Sequence, residues 1–178
     1  VKRRRLEHCR RCGLWEFRRY VVRGRGELPC DVLEIGEAPG RTENLTGIAF
    51  HGRAGKLLDR MNLAANLDRY RLYITNVVMC RPCEGRIAPN REPLSEEVLM
   101  CMANVRCVIE EARPKAVVLL GEIAQRYYGR EFPYAVKCYH PSYLLRTGSE
   151  TSPDWWKAIR MLEAVHRRLE RHEVFNAP

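Results

Sequence analysis

No apolar run in these 178 residues reaches the roughly 18–20 needed to cross a bilayer as a helix, so a membrane partner is not expected. The basic opening stretch VKRRRLEHCRRCGLWEF is followed by no apolar h-region and no small-residue cleavage site, which argues against a secretory signal and for a cytoplasmic protein. Internal repeats and low-complexity segments are missing too. The dinucleotide fingerprint G-x-G-x-x-G does not occur. GIAFHGRA comes near to a P-loop, with Gly47 and Gly52 at the right separation, but Arg53 and Ala54 stand where Lys and Ser/Thr are required. Without those two residues neither terminal phosphates nor magnesium would be held, so no nucleotide triphosphate is expected as a partner.

What the chain does have is positive charge and cysteine. Residues 1–25 hold ten Lys/Arg and two Glu, so +8 of the formal +9 sits in that segment and the rest is nearly neutral. A basic block beside a balanced body is an electrostatic footprint for phosphates, or else a solvated arm. The eight cysteines include two C-x-x-C pairs, Cys9/Cys12 and Cys80/Cys83. In a reducing compartment such pairs bind metal or do redox chemistry more often than they form disulfides. An apolar fraction of 46% over 178 residues suits one domain, 1–178, with 1–25 as its basic segment.

Four short apolar stretches read as buried strands: DVLEIGE, RLYITNVVMC, KAVVLLGE and YAVKCYHP. Helical patterns lie between them: AGKLLDRMNLAANL, LSEEVLMCMANVRCVIEEARP with Ser95 as its N-cap, EIAQRYYG, and a final SPDWWKAIRMLEAVHRRLERHE. Strands alternating with helices predict an α/β fold with a parallel sheet covered on both faces. In such a sheet ligands gather at the carboxyl ends of the strands. Glu37 and a glycine-rich loop, Asn76, Glu122 and His140 all fall there.

The stretches GEAPGRTEN…GIAFHGRAGKLL, YITNVVMCRP, NREPLSEE…C and HPSYLLR, in that order, resemble the family-four uracil-DNA glycosylases, the branch that carries an iron–sulfur cluster. The resemblance runs from HCRRC to the final helix. It implies a three-layer α/β/α fold on a four-stranded parallel sheet, acting on DNA that contains an altered pyrimidine; a monomer is expected, though no sequence feature fixes the oligomeric state. It also implies a monofunctional glycosylase that rotates the base, uracil first, out of the duplex and hydrolyses its N-glycosidic bond. The matching positions place Gly36, Glu37 and Ala38 in the loop lining the base pocket, Phe50 as the stacking aromatic, Asn76 as the base-reading amide and His140 as the donor to the departing base. A carboxylate near the sugar would stabilise the developing cation and orient water, with Glu43 the first choice and Glu37 the second. Arg81, Asn90, Ser142 and Arg146 would face DNA, and Leu144 or Leu145 would fill the vacated stack.

For the cysteines the resemblance implies a [4Fe–4S] cluster on Cys9, Cys12, Cys80 and Cys101. Thiolate tetrads suit zinc equally by softness and geometry, and the two C-x-x-C pairs are the ligand set a zinc reading would choose. Several positions depart from the family pattern. Asn44 replaces the second acid after Glu43, Ala49 and His51 flank Phe50, CEGRIA lengthens the loop after Cys80, and the segment before CYHP is short. These changes leave the base open, including the hypermodified pyrimidines of phage DNA, as would suit a defence enzyme. An inactive DNA-binding module on the same fold is a further alternative. Ala88 stands where relatives that capture the sugar covalently have a histidine, which argues against that chemistry.

Overall fold

The computed structural model describes residues 6–171, so residues 1–5 of the basic segment lie outside the described residues. One sheet of five strands has the order β1-β3-β2-β4-β5, from β1 (Arg25–Gly26), β2 (Val32–Gly36), β3 (Leu72–Asn76), β4 (Ala116–Leu120) and β5 (Val136–Cys138). β2 to β5 are mutually parallel, which agrees with the four expected strands. The fifth, β1, pairs antiparallel with β3 through Arg25 and Gly26. Two residues are too short for any hydrophobic period, so this edge strand has no sequence signature.

Among the described residues six α-helices lie between and after the strands: α1 (Arg41–Thr46), α2 (Arg53–Ala64), α3 (Ser95–Ala112), α4 (Gly121–Tyr128), α5 (Pro141–Arg146) and α6 (Pro153–Glu170). One core layer packs Leu33, Ile35 and Leu119 of the sheet against Val98, Val105 and Val108 of α3 and Ile123 of α4. The other packs Val32, Val118 and Leu120 against Leu57 and Met61 of α2, Leu144 of α5 and Trp155, Ile159 and Leu162 of α6. Strands covered on both faces explain why β2 and β4 have no polar alternation.

Glu34 is the exception in that run, fully buried on β2 with one oxygen accepting from Asn62 at 3.1 Å, and burial pushes its carboxyl up to about 7. The cap of α3 differs from expectation. Leu94 is the N-cap residue, its N–H donates to Glu97 Oε2 at 2.8 Å, and Ser95 Oγ instead accepts from Tyr127 at 2.8 Å. No helix among the described residues is long and apolar enough to cross a membrane.

Candidate active site

The carboxyl ends of the parallel strands face a cavity of about 650 Å³. Its wall is formed by Glu37, Ala38, Gly40 and Glu43 after β2, Phe50, Gly52 and Arg53 before and within α2, Asn90 and Arg91 before α3, and His140, Ser142, Leu145 and Arg146 around α5. Gly36 and Asn76 lie behind this wall, opposite one another in the β2–β3 register, and Asn76 is 1% exposed. No side chain fits at Gly36: a Cβ there would stand 2.4 Å from Phe50 Cζ and 2.8 Å from Asn76 Oδ1. The Phe50 ring lies 5.8 Å from the His140 ring, centroid to centroid. Gly36, Phe50, Asn76 and His140 therefore form one contiguous group.

Two polar groups in that set lack protein partners. Both amide atoms of Asn76 are buried without a hydrogen bond, and so is His140 Nε2. The other imidazole nitrogen, Nδ1, accepts the Ser142 N–H at 3.2 Å and so carries no proton. Burial, with the Arg146 charge second, holds the His140 pKa down to about 4. This environment favours the neutral imidazole near pH 7, with its hydrogen on Nε2, where the sequence alone leaves the protonation state open. Room for this ring comes from Gly121, where a Cβ would stand 2.8 Å from that of His140.

The two acidic residues of the loop behave differently. Glu43 Oε2 accepts the Gly40 N–H at 3.0 Å and its Oε1 accepts the Gly52 N–H at 2.7 Å, so one carboxylate fastens the β2 loop to the start of α2. Glu37 is half-buried on the cavity wall, its carboxylate accepts no hydrogen bond from the described residues, and its pKa is raised by burial and then by Glu92.

Three expectations need correction. Arg81 does not face DNA: it is 2% exposed, and its guanidinium donates to Asn90 Oδ1 at 2.6 Å, to Arg86 O at 3.2 Å and to Ala88 O. Leu144 cannot fill a base stack, because it is fully buried against the α2 and α6 side of the core; Leu145 is half-buried and lines the cavity. The helical spacing of Pro141 and Leu144, both buried, is the sequence signal for that inward face. Glu122 is exposed on α4 and away from the cavity wall. Sequence reasoning also missed Arg41, Arg53 and Arg91, which add positive charge to the wall. All three lie within the stretches GEAPGRTEN, GIAFHGRAGKLL and NREPLSEE, but nothing in those motifs marks them out from other surface charges.

A second, smaller chamber is lined by Cys9, Cys12, Cys80 and Cys101, together with Arg18, Met79, Met100 and Asn104. Arg18 Nη1 lies 3.8 Å from Cys80 Sγ, and Asn104 Nδ2 lies 3.6 Å from Cys9 Sγ. Burial pushes Cys80 up to about 12 and Cys101 up to about 11, so a metal binding here has to displace protons. Cys83 is outside this lining, and its thiol donates to Arg81 O at 3.8 Å. Among the described residues no three candidate ligands lie close enough together to hold a single metal ion.

Comparison with known proteins gives the family of the chain. The family model of the Uracil DNA glycosylase superfamily matches residues 24–163. The chain is 40% identical over 123 residues to the type-4 uracil-DNA glycosylase of Saccharolobus solfataricus, covering 68% of this chain and 55% of that one. It is 40% identical over 124 residues to that of Archaeoglobus fulgidus, covering 70% and 60%. With that of Thermotoga maritima it shares 34% identity over 162 residues, 82% of each chain. The matched region thus spans little more than half the length of the first two relatives and most of the third. This chain belongs to the uracil-DNA glycosylase superfamily, in its type-4 branch.

Proposed function

We propose that the chain is a DNA glycosylase that takes a pyrimidine, uracil first, out of DNA into the cavity and hydrolyses its N-glycosidic bond, leaving an abasic site. One observation carries this reading: the unpartnered buried polar atoms of Asn76 and His140 beside Phe50. Each such atom costs about 1–3 kcal/mol while it stays unpaired, and these three lie together beside one cavity. A pyrimidine stacked on Phe50 supplies the missing partners. Its N3–H and O4 suit the Asn76 amide, and its O2 suits the His140 Nε2–H.

The chemistry follows from where charge develops. As the glycosidic bond breaks, the base gains negative charge and the sugar gains positive charge. A neutral imidazole donating from Nε2 stabilises the base anion without first having to lose a proton. Glu37, the wall carboxylate free of backbone hydrogen bonds, is assigned to the sugar cation and the attacking water. Glu43 is assigned to holding the loop, since both its oxygens already accept backbone N–H groups. The rim residues Arg41, Arg53, Asn90, Ser142 and Arg146 and the basic N-terminal segment are assigned to DNA phosphates.

Cys9, Cys12, Cys80 and Cys101 are assigned to a [4Fe–4S] cluster. In support, the four thiols come from three separated segments and surround one chamber, with Arg18 and Asn104 positioned to donate to sulfur. Zinc is the alternative, and the two C-x-x-C pairs it would use include Cys83, which lies outside the chamber lining. When bound, the cluster would cross-link the N-terminal segment to the end of β3 and to α3. Anaerobically purified protein should be brown, and Cys101→Ser should bleach it while Cys83→Ser should not; a colourless protein carrying one zinc overturns the assignment.

The activity is tested with duplexes containing uracil, a thymine mismatch, hydroxymethylcytosine or its glucosylated form, scored for abasic sites. Release of uracil is expected. Cleavage confined to the modified cytosines would replace uracil as the substrate, and binding without release of any base would overturn the enzyme reading.

A further inference from the structure

Ile87 is 88% exposed, the highest value for any large apolar side chain among the described residues. An isolated apolar residue on a surface needs no explanation by itself. What sets this one apart is the way its loop is built. The carbonyls on either side of it, at Arg86 and Ala88, both accept from the guanidinium of Arg81, which is itself 2% exposed. The same guanidinium donates from Nε to Asn90 at 2.6 Å. Burying an arginine is expensive unless its donors are satisfied, and here they are used to bracket one exposed isoleucine.

The ends of the loop are fixed as well. Arg91 N–H donates to Pro82 O at 3.1 Å, and the Arg91 side chain holds Glu97 at the start of α3 at 2.6 and 2.8 Å. Pro82, Asn90 and Arg91 all form part of the cavity wall, so the loop rises from the rim of the base pocket. The backbone at its tip is thus fixed before any partner arrives, and the side chain it carries is apolar and exposed. Such preorganisation lowers the ordering cost of binding.

We propose that Ile87 is a wedge that enters the DNA stack and fills the space left when the pyrimidine is rotated into the cavity. This rests on the glycosylase reading above and adds the residue that keeps the emptied stack open. Duplex DNA is the occupant favoured by Arg41, Arg53 and Arg146, which stand in the same wall as Glu37, Glu43 and Glu92 and outside the backbone hydrogen bonds that occupy Glu43. Apolar side chains inserted at base steps are an established way to stabilise an unstacked duplex. Leu144 is excluded by burial, and Leu145 keeps part of its side chain against the core formed by α2, α5 and α6.

The test compares uracil release from duplex and from single-stranded oligonucleotides by the wild type, Ile87→Ala, Ile87→Leu and Leu145→Ala. A single strand has no stack to refill, so it reports the pocket without the wedge. Ile87→Ala should lose about 10- to 100-fold in kcat/KM on duplex, the worth of one buried aliphatic side chain, and change less than about twofold on single strands. Ile87→Leu should restore most of the duplex activity. In parallel, 2-aminopurine placed beside an abasic-site analogue should be less fluorescent with Ile87→Ala than with the wild type, since the unfilled gap lets it restack. Equal losses on both substrates, no loss on duplex, or a duplex-specific loss confined to Leu145→Ala would overturn the wedge and leave the glycosylase reading intact. A wild type that releases uracil from neither substrate would overturn both.

Discussion

The side-chain oxygen of Asn44 accepts the backbone N–H of Arg19 at 2.8 Å, tying the cysteine-bearing segment to α1. On one side of this bond Arg18 holds Glu7 O and Cys9 O and approaches Cys80 Sγ. On the other, Glu43 grips Gly40 and Gly52 in the pocket loop. The chamber and the pocket are thus joined through adjacent residues. Asn44→Leu should destabilise the protein by about 1–3 kcal/mol, because Asn44 is buried and the Arg19 amide would lose its acceptor. Asn44→Asp keeps an acceptor and should lie within about 1 kcal/mol of the wild type in urea unfolding. Equal losses for the two variants would mean that packing, not the hydrogen bond, is what Asn44 supplies.

Replacing Asn76 should separate stability from activity. Its two amide atoms are buried without partners, so Asn76→Ala removes an unfavourable feature from the folded state. The variant should be as stable as the wild type or more so, while excision falls by about 10²-fold or more from loss of the base-reading contacts. A clear drop in the unfolding midpoint together with retained excision would show the amide to be structural.

Much of this arrangement was legible in the chain, and for physical reasons. The four parallel strands are continuous apolar runs because both faces of the sheet are covered, and Gly36, Asn76 and His140 stand where such runs end. The carboxylates were harder to place. Glu43 and Glu37 are alike in sequence, and only the fold shows that one has both oxygens on backbone N–H groups. Arg81 misled for the same reason. An arginine beside a glycine-containing loop looks like a phosphate contact until its partners prove to be carbonyls within the loop. Glu34 was hidden inside DVLEI, since its burial depends on Asn62, 28 residues away in sequence.

The two loop carboxylates should fail in different ways. In Glu43→Gln an NH2 group faces one of the two backbone N–H donors, so at least one charge-assisted hydrogen bond is lost. A stability loss of about 2 kcal/mol is expected, with a rise in KM as the loop loosens. Glu37→Gln removes a carboxylate whose charged form burial already disfavours, so stability should hold. Its kcat should fall by about 10²-fold or more if it serves the sugar and the water. The reverse pattern, with Glu43→Gln stable and inactive, would return the catalytic assignment to Glu43.

Acid should reveal His140 in two independent measurements. Its pKa in the fold, about 4, lies below the ordinary value of about 6.5, so the unfolded chain binds a proton that the folded chain refuses. The stability linked to this residue is therefore complete above about pH 6.5, declines as the pH drops, and is gone below about pH 4. Between pH 7 and pH 5 the wild type should lose about 1–2 kcal/mol more than His140→Gln in urea unfolding. Excision gives the second measurement. A neutral donor at Nε2 needs no protonation, so the kcat profile should show no His140-dependent inflection between pH 6 and pH 7. The rate of His140→Gln should be lower by about 10²- to 10³-fold at every pH in that window, the usual cost of losing one preset donor to a developing anion. If the wild-type rate instead rises as the pH falls through 6.5, and the rise disappears in the variant, the active form is the imidazolium and the neutral-donor chemistry is wrong.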